Sequence, residues 1–240
     1  MVKRVARAVL LAVLLAQVAC GRKSILTLFL SLDYVSWLSP LLSGCELEVR
    51  YDIALLADES AGNNPQIHWR MLTVIWSLID SLTFVDDATH LAFATYSNVT
   101  SPRWSLGQRE SKRHLMELVS INKNSAFSDS VSALRTAKSF MFTKAAGNRP
   151  SVNNVIVMLV DSSHRVDEHS ENNRLSDLQG IDAETTTVFI IAFGRNIEGN
   201  PYLEKLASDS SKPYFSVVQD DDDVSKAVDV IMEALCVPKN

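Results

Sequence analysis

Apolar runs alternate along this chain with segments whose apolar positions recur at helical spacing. From Val49 to Ala57 the run VRYDIALLA is apolar apart from its charged or polar members, chiefly Asp52, and it predicts a strand buried on both faces. Pro65 to Leu82 places Met71, Leu72, Ile75, Leu78, Ile79 and Leu82 on one side of a helix. LAFATYS (Leu91–Ser97) predicts a second strand, and a short segment around Trp104 follows closely enough to form a hairpin with it. Helical patterns then cover Glu110–Val119 and Ser130–Lys144. NVIVMLV (Asn154–Val160) is the most strand-like run, and it ends on Asp161. After a polar stretch with a short helix near Leu175–Gln179 come strands at Thr186–Gly194 and Tyr214–Val218 and helices at Tyr202–Ala207 and Val224–Leu235.

This order predicts an α/β fold: a doubly wound, mostly parallel central sheet with one antiparallel edge strand and helices on both faces. In open sheets of this kind ligands bind at the carboxyl ends of the strands. Asp58 and Asp161 both stand there.

The amino terminus reads differently. Lys3, Arg4 and Arg7 precede AVLLAVLLAQVAC, an apolar run too short to span a bilayer, so residues 1–20 read as a secretory signal. Its removal takes away three basic groups and no acids, moving the net charge from −5 to −8. An acidic exported protein argues against a nucleic-acid partner. Residues 21–44 are also apolar, and the leader could extend to 44. Asp33 costs about 2.5–3.5 kcal/mol inside a membrane span and Pro40 weakens its helix, so membrane association follows only if residues 24–43 are retained as an anchor. Leu42–Cys45 also resembles a lipoprotein box, against which the charge within the run counts.

Of three cysteines, Cys20 falls in the leader. Cys45 and Cys236 bracket the domain at 45–236, ahead of the tail at 237–240, and are expected to form a disulfide in an oxidising compartment. Asn98-Val99-Thr100 is a glycosylation sequon. Asp220–Asp223 suits the dipole of the last helix, and His164 and His169 read as a solvated loop rather than a zinc site. No Gly-rich phosphate loop is visible, and DESAGNN lacks the glycines of a dinucleotide fold. Ser60 stands where an Asp-x-Asp phosphoryl-transfer enzyme needs its second acid.

Three loops offer oxygen atoms: Asp58 and Ser60, Ser128 and Ser130, and Asp161. Hard divalent cations prefer such donors, although the same residue types also cap helices.

DIALLADES, LAFATYSNVT, FSDSVSAL, NVIVMLVDSS, TTVFIIAFG and the closing YLEKLAS…YFSVV…LC occur in one order and spacing. In this the chain resembles the von Willebrand factor type A domain. The resemblance implies a metal-ion-dependent adhesion site with an Asp-x-Ser-x-Ser loop, a Thr and an Asp. Asp58 and Ser60 match the first loop, Ser128 stands for the Thr and keeps its hydroxyl, and Asp161 matches the last. Gly62 replaces the second Ser and removes a ligand, while Glu59 adds a charge beside the site. The implied function is secreted, extracellular, non-enzymatic binding of a matrix or cell-surface protein, with Glu59, Gly62 and Ser130 in the binding loops and Mg²⁺ or Mn²⁺ as the ion. The alternatives are a metal-dependent hydrolase using Asp58 and a structural module that has lost its ligand.

Overall fold

The computed structural model describes residues 50–60, 64–84, 88–108, 110–122, 128–161, 186–194, 201–208 and 214–235. Among the described residues six strands form one sheet: β1 (Tyr51–Asp58), β2 (Thr89–Tyr96), β3 (Thr100–Trp104), β4 (Asn153–Asp161), β5 (Thr186–Phe193) and β6 (Phe215–Val218). Their order across the sheet is β3-β2-β1-β4-β5-β6. Every neighbouring pair is parallel except β2 with β3, the hairpin at one edge. The doubly wound, mostly parallel α/β architecture with one antiparallel edge strand is therefore present.

All eight residues of β1 are buried, because a central strand has a layer on each face. Its alternate side chains feed two cores. Tyr51, Ile53, Leu55 and Ala57 join the cluster formed with α1 (Pro65–Ser81), α2 (Lys112–Leu118) and α5 (Asp222–Leu235). Ala54 and Leu56 face the other way, against α3 (Ser130–Thr136) and α4 (Pro201–Leu206). The buried positions of α1 are Ile67, Met71, Val74, Ile75, Leu78 and Ile79, the stripe that helical spacing predicts, and each large side chain so buried contributes roughly 1.5–3 kcal/mol.

The segment after Ser130 departs from the expected single helix to Lys144. The α-helix ends at Thr136, Ala137–Met141 widens into a π turn closed by the Phe142 amide on the Ala137 carbonyl, and a 3₁₀ turn spans Lys144–Ala146. The wider turn keeps both Ala137 and Met141 buried on the sheet. Gly147 then terminates the segment with φ +96°, and a Cβ there would lie 2.4 Å from the Gly107 nitrogen, so glycine is required both by conformation and by space. Apolar periodicity carries no mark of that close approach.

Among the described residues no helix is long and apolar enough to cross a membrane. The expected leader, residues 24–43, Cys45, Gly62, His164, His169, the short helix near Leu175–Gln179 and Cys236 lie outside the described residues.

Candidate metal centre

β1 and β4 are adjacent, and the connections from them leave in opposite senses across the sheet, so a crevice opens beyond their carboxyl ends. Asp58 closes β1 and Asp161 closes β4, and both are buried. One Asp58 oxygen, Oδ1, accepts from the Ser60 amide at 2.8 Å. The other, Oδ2, accepts from the Ser128 hydroxyl at 2.8 Å and the Asp161 amide at 3.2 Å. Three loops separated by as many as 103 positions in the chain thus meet on one carboxylate.

Helix capping does not account for these residues. The cap of α1 is Asn64, whose side chain accepts from the amides of Gln66 and Ile67, followed by Pro65 in the first turn. The cap of α3 is Asp129, whose carboxylate accepts from the Ser132 amide at 2.9 Å. Neighbours in the sequence do the capping, and Asp58, Ser60 and Ser128 converge elsewhere.

The electrostatics of the cluster are unbalanced. Burial pushes the Asp58 carboxyl above the usual carboxylate range, while hydrogen bonds from Ser60, Ser128 and the Asp161 amide pull against that rise. The Ser130 hydroxyl is buried with no hydrogen-bond partner among the described residues, and the Ser60 hydroxyl, also buried, stands near the Asp58 carboxylate without a well-formed hydrogen bond there. An orphaned buried hydroxyl costs about 1–3 kcal/mol, and two such oxygens on the loops that meet at the buried Asp58 carboxylate suit a shared positive partner. A hard divalent cation fits this donor set: hydroxyl and carboxylate oxygens, with no sulfur or imidazole among the described residues of the cluster. Asp58, Ser60, Ser128 and Asp161 are the residues that could hold it, with Ser130 at the start of α3 beside them. Bound there, a divalent cation supplies a positive charge and exchangeable coordination positions.

Glu59 differs from its simplest expectation. It is buried and does not stand as an uncompensated charge: Arg103 of β3 donates from a terminal guanidinium nitrogen to Glu59 Oε1 at 3.0 Å. Arg103 Nε also reaches the Thr95 hydroxyl at 3.2 Å. The hairpin therefore contributes to the rim, and nothing in the spacing of residues 59 and 103 announces it. Asn98 lies exposed at the tip of the same hairpin, whose Ser97 carbonyl accepts from the Asp129 amide at 2.9 Å.

An open α/β sheet carrying an oxygen-rich cluster at its carboxyl rim defines the class. The family model for the von Willebrand factor type A domain matches residues 52–230, and the chain belongs to that family. Comparison with curated protein sequences gives no match. Among solved structures it is similar to proximal thread matrix protein 1 from the mussel byssus, with a TM-score of 0.66 and 18% identity over 80% of this chain and 49% of that one. That protein has also been solved with its metal-ion-dependent adhesion motif occupied by zinc. It is similar as well to the manganese-loaded TRAP protein of Plasmodium vivax, with a TM-score of 0.59 and 17% identity over 80% of this chain and 75% of that one. The chain spans about half the length of the mussel protein it matches. At these identities the likeness concerns the fold.

Proposed function

We propose that this domain is a secreted adhesion module that binds an extracellular protein through the rim above β1 and β4, by way of a divalent cation held by Asp58, Ser60, Ser128 and Asp161. Glu59, Gly62 and Ser130 belong to the loops that surround the ion. The observation that carries this reading is the convergence of three loops on the buried Asp58 carboxylate, through the Ser60 amide, the Ser128 hydroxyl and the Asp161 amide, with the buried Ser130 hydroxyl lacking a partner among the described residues. A cation satisfies the oxygens and leaves a coordination position for a carboxylate of the partner. Mg²⁺ and Mn²⁺ suit the donors, and a water in place of the serine hydroxyl that Gly62 lacks lowers the affinity without abolishing it. Family membership and the metal-loaded state of two structural neighbours support the reading.

Secretion carries with it a Cys45–Cys236 bridge and a glycan on Asn98. Mass before and after reduction checks the bridge, and two alkylatable thiols in the native secreted protein would exclude it. The functional test is a pull-down from extracellular-matrix extract, with and without EDTA, repeated with Asp161→Ala. Capture that EDTA and Asp161→Ala both abolish is the expected result. Capture insensitive to both, or no capture, would instead favour a module that has lost its metal-dependent ligand.

A further inference from the structure

The Asp-x-Ser loop carries an acid, Glu59, immediately after the carboxylate at the centre of the cluster. Buried acids are rare unless paired, and the partner here comes from outside the loop, 44 positions away in β3. Arg103 contacts Glu59 at 3.0 Å and is anchored by the Thr95 hydroxyl at 3.2 Å, so its guanidinium is held by two groups. The Arg103 side chain is 31% exposed and that of Glu59 7%, which makes this the better shielded kind of pair, where removal of one partner uncovers the charge of the other.

We propose that Arg103 sets the charge around the metal centre: by pairing with Glu59 it cancels the charge of the residue that follows Asp58 in the chain and so limits the affinity of the site for a divalent cation. This rests on the cation reading above and adds a residue to it. Cation affinity at oxygen sites rises with the number of negative charges on and around the ligands, and a charge in a partly buried setting is screened less than one in water. With the pair intact, residues 59 and 103 contribute no net charge. Without Arg103 they contribute −1, and without the Glu59 carboxylate +1. The consequence for adhesion is that a site kept from excess negative charge leaves the bound ion more positive toward a carboxylate from a partner.

The test is Mn²⁺ titration by calorimetry on the whole secreted chain and on Arg103→Gln, Glu59→Gln and the double variant. Circular dichroism on each confirms the fold. The expected order is tightest for Arg103→Gln, roughly tenfold tighter than wild type, weakest for Glu59→Gln by a similar factor, and near wild type for the double variant, in which the net charge returns to that of the intact pair. If wild type binds and the single variants stay within about twofold of it, the charge-setting role is overturned while the cation site stands. If none of the four binds, the cation site and this role fall together. Should Arg103→Gln fail to fold, Glu59→Gln and the double variant still decide: restoration by the second substitution supports the proposal, and equal weakening of both overturns it.

Discussion

Asp52 lies in the interior of β1 with none of its surface exposed, in a strand otherwise apolar up to Asp58. It is tolerated because Arg149 folds back onto it: the Arg149 amide donates to Oδ2 at 2.7 Å and its Nε to Oδ1 at 2.8 Å, while another guanidinium nitrogen reaches the Tyr51 carbonyl at 2.9 Å. His90 adds Nδ1 at 3.9 Å from Asp52 Oδ1. Removing the arginine leaves a buried carboxylate with fewer donors, so Arg149→Ala is expected to cost about 3 kcal/mol in urea unfolding, whereas Arg149→Ala paired with Asp52→Asn recovers part of that loss. Both carboxylate clusters had the same appearance in the sequence, an acid in or at the end of an apolar strand. Asp58 and Asp161 were legible as a candidate site because strand ends are where an open sheet gathers loops. The partners Arg149 and Arg103 were not, since a pairing over 97 or 44 positions leaves no periodicity.

The strands were legible because burial on both faces requires unbroken apolar runs, and β4 and β5 begin within a residue of where those runs begin. The first long helix was legible for the complementary reason, a single apolar stripe at helical spacing. The segment after Ser130 was not, because its departure into a π turn answers to packing against the sheet, and its end at Gly147 to the close backbone of Gly107. The closing helix illustrates how local charge adds to such elements. Asp220 Oδ1 accepts from the amides of Asp222 and Asp223, and the Asp223 carboxylate accepts in return from the Gln219 amide at 3.1 Å. Lys226, through its hydrogen bond, and that Gln219 amide hold the Asp223 carboxyl below the usual value of 3.8. A depressed acid stabilises the fold above its unfolded value and loses that contribution as pH falls through the folded value. The melting temperature of Asp223→Asn should therefore lie below that of wild type at pH 6 and converge with it as pH drops below about 3.8. A gap that widened on acidification would contradict the sign. Asp220→Ala is expected to cost about 1 kcal/mol by chemical denaturation, the ordinary loss of a helix cap.

Taken as a whole, the molecule brings its chemistry to one rim through topology. The order β3-β2-β1-β4-β5-β6 sets β1 beside β4, and the hairpin of β2 and β3 reaches the same loops through Ser97 and Asp129. Asn98 is exposed on that hairpin, so a glycan there would stand next to the Ser128–Ser130 loop. Expressed through a secretory route, the protein is expected to lose mass on N-deglycosylation and the Asn98→Gln variant to show no such loss; an unmodified wild-type mass would exclude the glycan.

Everything proposed for the rim depends on a cation satisfying the buried oxygens around Asp58. Calorimetric titration of the metal-stripped protein with Mn²⁺ tests it most directly, with Asp58→Ala in parallel. One ion per chain, binding at micromolar to millimolar concentration in wild type and not in the variant, is the predicted result. An absence of heat and of any rise in melting temperature at millimolar Mn²⁺ would contradict it.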